Sequence, residues 1–246
     1  MVLLVYMIIY KSLKLPDKKE MPSVFLLGFF LTTLQYIFFY TGLSNTTGVN
    51  GAILNSTGTF FSVILAHFIY TNDKLNHSKV IGCIMGFIGV VIINFSENFV
   101  SLHFHPMGEG FIIIAALIGS SASIYSKKLS KTINTMILTG SQLFVGGLIL
   151  TLLGYLTGGH LEGFTLKATV LLIYMGLLSA TAFTLWTNLL KYNKVGKISV
   201  YNFQIPIFGT ILSSLFLRES FFNTKNILAL LLVSTGIYIV NRTTSH

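Results

Sequence analysis

Apolar runs recur along the chain at about 22–43, 49–71, 79–95, 110–126, 134–157, 168–190, 196–217 and 226–241. Most are long enough to cross ~30 Å of hydrocarbon as helices. In lipid every backbone N–H and C=O must be satisfied within the protein, so only helices and closed barrels span a bilayer. The runs are continuous and lack the period-two alternation of a barrel strand. The expected fold class is therefore an all-α polytopic membrane protein with eight full spans. Composition agrees: 53% of the 246 residues are hydrophobic and 9% charged, against roughly 25% charged in a soluble domain. A further run, MVLLVYMIIY at 1–10, is too short to span alone and lacks the basic start and cleavage site of a signal peptide. It reads as the inner half of a helix whose beginning is missing.

The net charge of +9 raises the question of a nucleic-acid partner, and the placement of the charges answers it. Every second connection is lysine-rich: Lys11, Lys14, Lys18 and Lys19, then Lys74 and Lys79, then Lys127, Lys128 and Lys131, then Lys191, Lys194 and Lys197, and finally Arg242 in the tail. The intervening connections hold only Lys167, Arg218 and Lys225. This is the positive-inside pattern, which puts the lysine-rich set and the C-terminus in the cytoplasm of a multi-pass cell-membrane protein. The charge orients the chain in the lipid bilayer and implies no nucleic acid. Cys83 is the only cysteine, so it makes no intramolecular disulfide and reads as a buried structural thiol.

The chain also resembles itself. An offset of 147 residues aligns 40–94 with 187–241 without a gap, matching Leu43 with Leu190, Asn55 with Asn202, Phe61 with Phe208, Gly89 with Gly236 and Asn94 with Asn241. One repeat unit holds five spans, an odd number, so consecutive copies enter the membrane from opposite sides. Such inverted duplication is an architecture of secondary transporters, with the substrate site near the midplane between the halves. The expected copies are 1–99, incomplete at its start, and 110–241. A complete molecule would then have ten spans, and this one lacks the first helix and part of the second.

Two stretches, YTGLSNTTGVNGAILNSTGTFFSVILAHFIYTNDKLNHSKVIGCIMGFIGVVIIN and LLKYNKVGKISVYNFQIPIFGTILSSLFLRESFFNTKNILALLLVSTGIYIVN, carry a resemblance to the EamA-like branch of the drug/metabolite transporter superfamily. Each is similar to the third-to-fifth helix unit of that family: a short polar turn leading into a helix, an acidic turn, and a final glycine-bearing helix. The acidic turn stands as Arg218-Glu219 in the second copy and as Asn72-Asp73 in the first. The resemblance implies a ten-helix inverted-repeat bundle and a transporter of small metabolites, with no cofactor.

Polar residues inside spans are functional candidates, because a side chain there must face another helix or a water-filled cavity. Asn55 and Asn202 occupy equivalent positions in the two copies, and a carboxamide without partners in lipid costs several kcal/mol. Two readings stand beside each other: both line a pathway, or both make interhelical bonds. Gln204 and Pro206 follow Asn202, and a proline within a span frees carbonyls at the preceding turn, for a solute or simply for a kink. Tyr201, Ser56 and Thr59 complete the pathway set, with close packing the alternative for Ser56 and Thr59. His67 is a titratable group inside a span, either proton-linked or neutral and hydrogen-bonded. No carboxylate falls mid-span, which points to gradient-driven or weakly coupled movement.

Catalysis lacks a sequence basis: there is no HExxH, GxSxG, Walker loop or GxGxxG, and no metal site is expected. The HxH pair His103 and His105 reads as an ordinary exposed loop. The expected function is therefore a permease or exporter of small molecules such as amino acids or related compounds, acting by alternating access. The alternative is a non-transporting membrane component that binds a lipid or protein partner.

Overall fold

The computed structural model describes residues 16–46, 51, 54–94, 105–159, 165–205, 207–208 and 224–242. Every regular element among them is helical. The elements are α1 (Met21–Ser44), α2 (Gly58–Ile69), α3 (His77–Asn94), α4 (Pro106–Leu129), α5 (Thr135–Leu156), α6 (Leu166–Tyr192), α7 (Val195–Ser199, continued by a 3₁₀ turn over Val200–Phe203) and α8 (Thr224–Arg242). Four of them, α1, α4, α5 and α6, are long and apolar enough to cross a membrane, while α2, α3 and α8 carry shorter apolar segments. The apolar runs at 22–43, 110–126, 134–157 and 168–190 thus coincide with α1, α4, α5 and α6. Residues 1–15 and 209–223 lie outside the described set.

Local chemistry accounts for the helix ends. Asn134 caps α5, its Oδ1 accepting from the Met136 N–H at 2.9 Å, and Asn76 caps α3 in the same way for the Lys79 N–H. At the far end of α5 the Gly158 N–H donates to the Tyr155 carbonyl and the Gly159 N–H to the Gly154 carbonyl. This Schellman closure requires the left-handed φ of +88° at Gly158. A wider π-type turn interrupts α1 at Phe29–Leu34.

The run at 49–71 is not one uninterrupted helix: a turn at Ser56 and Thr57 precedes α2. Both the backbone N–H and the hydroxyl of Thr57 donate to the Leu54 carbonyl, at 3.0 and 2.5 Å. These bonds three residues back tighten the turn and compete with the α-helical pattern.

Two compact units divide the chain. The first comprises residues up to Tyr36 together with Ala122–Tyr192. Its apolar core is formed by Val24, Leu27, Ala122, Ile133, Ile137 and Leu138. Here α1 and α5 meet backbone to backbone: a Cβ on Gly28 would lie 2.8 Å from the Gln142 carbonyl oxygen, and one on Gly146 would lie 2.6 Å from the Gly28 carbonyl oxygen. The Thr33 hydroxyl donates to the Gly146 carbonyl at 3.2 Å, and Thr139 and Thr187 join α5 to α6 through their hydroxyls at 3.3 Å. Elsewhere α6 presents Leu172, Ile173, Tyr174, Met175 and Leu178 outward, the all-round apolar surface of a helix solvated by lipid.

The second unit comprises Ile37–Ser121 and Asn193–His246. Its centre is the α3–α8 pair, on which the 3₁₀ end of α7 packs through Val200 and Phe203, with Ile207 beyond it in the same core. Phe60 of α2 stacks edge-on against both Phe87 and Phe203, with centroids 5.3 and 6.3 Å away. Small residues bring α3 and α8 into close contact, as is usual for helices in lipid. A Cβ on Gly82 would fall 2.6 Å from the Gly236 carbonyl oxygen, and one on Gly89 would fall 2.7 Å from Val233 Cγ2 and 3.1 Å from the Ala229 carbonyl oxygen.

Candidate functional site

In the second unit, most of the polar residues singled out in the sequence gather where α2 begins and α7 ends. Asn55 is exposed, immediately before the Ser56–Thr57 turn, whereas Ser56 and Thr59 are buried. The Thr59 hydroxyl donates to the Ser199 carbonyl at 3.3 Å, so it ties α2 to the last residue of α7. The next residues along the chain are Tyr201, exposed, then Asn202 and Gln204, both half-buried. Thr59 and the Phe60–Phe203 contact therefore hold the segments carrying Asn55 and Asn202 against each other. Pro206 lies outside the described residues. Ser120 of α4 closes the other side of α2, its hydroxyl donating to the Gly58 carbonyl at 2.7 Å.

His67 stands at the opposite end of α2, half-buried. Its Nδ1 accepts from the Leu75 N–H at 3.0 Å, and its carbonyl accepts from Lys74 Nζ at 3.0 Å. The imidazole thereby closes the connection from α2 to α3.

The same connection holds a buried ion pair. Lys79 Nζ lies 2.6 Å from Asp73 Oδ1, with the two side chains 3% and 1% exposed. Lys79 also donates to the Lys74 carbonyl at 2.7 Å, and the second oxygen of Asp73 accepts from the Gly196 N–H at 2.9 Å. Gly196 lies in the first turn of α7, where backbone donors have no helical partner and the helix end is electropositive. Asp73 thus caps a helix 123 residues away in sequence and fixes where the segment with Tyr201, Asn202 and Gln204 starts. Sequence reading counted Lys79 among the charges that orient the chain; in the structure the Asp73 carboxylate compensates it. The Asn72-Asp73 turn was the available signal.

The first unit contains a residue that sequence reading passed over. Gln142, midway along α5, is 1% exposed, and its Oε1 has no hydrogen-bond donor among the described residues. Leaving such an acceptor buried costs about 1–3 kcal/mol. Its neighbours on the same face of α5 are Thr139, bonded to Thr187, and Gly146, whose carbonyl accepts from Thr33. The signal, a carboxamide within an apolar run, was present in TMILTGSQLFVGG. Apolar continuity does not set this residue apart from its neighbours, and its position at the 147-residue offset would fall before residue 1, so no repeat counterpart marks it. Among the described residues no group of three or more His, Cys, Asp or Glu side chains is arranged to hold a metal ion.

This helical chain with buried polar side chains has recognisable relatives. The model of the EamA-like transporter family matches residues 1–95 and 106–242. The chain belongs to the EamA-like transporter family. As a member it is a multi-pass membrane protein of a transporter family, surrounded by the lipid bilayer. An uncharacterized transporter of Archaeoglobus fulgidus is 24% identical over 227 residues, covering 91% of this chain and 79% of that protein. An uncharacterized transporter in the sor 3' region of Acidianus ambivalens is 29% identical over 205 residues, covering 82% and 78%. The uncharacterized transporter YvbV of Bacillus subtilis is 28% identical over 221 residues, covering 87% and 71%. A solved crystal structure superimposes with a TM-score of 0.81 at 16% identity over 98% of this chain and 84% of its own, which speaks for a shared fold.

Proposed function

We propose that this EamA-like protein is a permease of the cell membrane, not an enzyme, that moves small metabolites such as amino acids or related compounds by alternating access, with its C-terminus in the cytoplasm. Two inverted copies, 1–99 and 110–241, built on the ten-helix plan of the superfamily, provide the moving parts. One observation supports the duplication above the others. The 147-residue offset relates Gly82 to Ala229 and Gly89 to Gly236, and the close contacts are Gly82 with Gly236 and Gly89 with Ala229. Each residue thus meets the counterpart of the other's position, which is the reciprocity expected of elements related by a two-fold axis.

The proposed pathway is lined by Asn55, Asn202, Gln204 and Tyr201, with Ser56, Thr59 and Pro206 shaping the two segments. Asn55 argues most directly for water there: it is exposed within a run that otherwise belongs in hydrocarbon, and such a carboxamide needs an aqueous or polar face. Movement down a solute gradient is the reading that the absence of mid-span carboxylates supports, and an intact flux in His67→Ala is its expected result. Loss of proton-dependent flux in that variant would instead assign coupling to His67.

The test is counterflow of pooled labelled amino acids, nucleosides and small amines in liposomes, comparing the parent with the Asn55→Ala, Asn202→Ala double variant. Uptake by the parent and its loss in the folded double variant is the expected result. Absence of uptake by the parent for every pooled compound favours a non-transporting component that binds a lipid or protein partner.

A further inference from the structure

Among the described residues of the first unit, the buried side-chain carbonyl of Gln142 is a group without a hydrogen-bond donor. Around it the Thr139 hydroxyl donates to the Thr187 hydroxyl and the Thr33 hydroxyl donates to the Gly146 carbonyl, so neither of these hydrogens reaches Gln142. The close approach of α1 to α5 at Gly28 and Gly146 fixes the backbone on both sides of this turn, so relaxation of the helices cannot easily supply a donor. Buried acceptors in native proteins nearly always have partners, and one without a protein partner calls for an explanation. Stability gives none, because an apolar residue of the same size would remove the cost.

We propose that Gln142 is a solute-binding residue whose Oε1 accepts a hydrogen bond from an N–H or O–H of an uncharged, hydrogen-bonding metabolite. This rests on the transport reading above and narrows its substrate class to uncharged solutes, setting aside the zwitterionic amino acids. Charge decides the class. No carboxylate lies mid-span anywhere in the sequence, and no Lys or Arg stands between Asn134 and Lys167. A cation or anion brought to Gln142 would therefore be desolvated without a counter-charge from these helices, whereas a neutral donor exchanges water for the carboxamide at little cost. The amide nitrogen of Gln142 offers donors beside its oxygen, so a hydroxyl or amide group, which both donates and accepts, is the complementary ligand.

The test uses four labelled probes in liposomes: uridine and myo-inositol as uncharged donor-bearing solutes, putrescine as a cation and succinate as an anion. The proteins are the parent, Gln142→Leu and Gln142→Met, each checked for a Tm at or above that of the parent, so that loss of fold is excluded. The expected result is exchange of an uncharged probe by the parent, with half-saturation raised about tenfold or more in both variants, the loss of one good hydrogen bond. Unchanged half-saturation in either folded variant overturns the role of Gln142 while leaving transport intact. Exchange of putrescine or succinate but neither uncharged probe overturns the solute class. If the parent exchanges none of the four, the assignment to Gln142 falls, and the pooled counterflow shows whether the transport reading falls with it.

Discussion

Removing the Asp73 carboxylate is expected to destabilise the protein far more than removing both members of its ion pair. At 2.6 Å and an effective dielectric of about 20, the gross attraction is about 6 kcal/mol. Each ion, however, gives up several kcal/mol of hydration on burial, so the intact pair contributes little net stability. Asp73→Leu leaves the Lys79 ammonium buried with only the Lys74 carbonyl, and it orphans the Gly196 N–H. An uncompensated buried charge costs about 3–5 kcal/mol. Lys79→Met exposes Asp73 to a milder version of the same penalty, because Gly196 still donates to it. In the double variant no charge remains, and the cost is expected to shrink to about that of the lost Gly196 bond, 1–3 kcal/mol. Denaturant unfolding in mixed micelles across this four-protein cycle should thus give a coupling energy of about 2–4 kcal/mol. Additive single effects, with coupling below ~0.5 kcal/mol, would refute the claim that Asp73 and Lys79 form one buried unit.

Gly82→Ala should separate α3 from α8, since its Cβ would fall 2.6 Å from the Gly236 carbonyl oxygen, with a cost of about 1–3 kcal/mol. Gly147→Ala, with nothing within 4 Å of the added carbon, should cost nothing and serves as the control in the same thermal unfolding assay. Asn134→Ala removes the cap on Met136 and should lower stability by about 1 kcal/mol. Thr139→Val breaks the bond to Thr187 and should cost only about 0.6 kcal/mol, a small drop in Tm; a drop as large as that of Asp73→Leu would mean that this pair organises the first unit.

The spans were legible because hydrocarbon imposes length and continuity on a sequence: α1, α4, α5 and α6 lie on the apolar runs read at 22–43, 110–126, 134–157 and 168–190. The membrane says less about what interrupts a run. The turn at Ser56 and Thr57 depends on a threonine hydroxyl choosing the Leu54 carbonyl, a local competition that apolar periodicity does not register. Lys79 was read by its position in a lysine-rich connection, yet it is buried on Asp73, a pairing that only the folded loop between α2 and α3 creates. The repeat brought Asn55 and Asn202 forward because each has a counterpart. Gln142 has no such counterpart, and its unusual state is a property of its packed neighbours and of no motif.

The central claim, a solute pathway at Asn55 and Asn202 that opens in turn to each side of the membrane, is tested most directly by two-sided cysteine accessibility. Cys83 is the only native cysteine, so Cys83→Ala provides a background for Asn55→Cys and Asn202→Cys in sealed, oriented vesicles treated with a membrane-impermeant thiol reagent. The account expects both positions to react from either face, with labelling slowed by a transported solute. Reaction at neither position, or at both from one face alone regardless of solute, would contradict it.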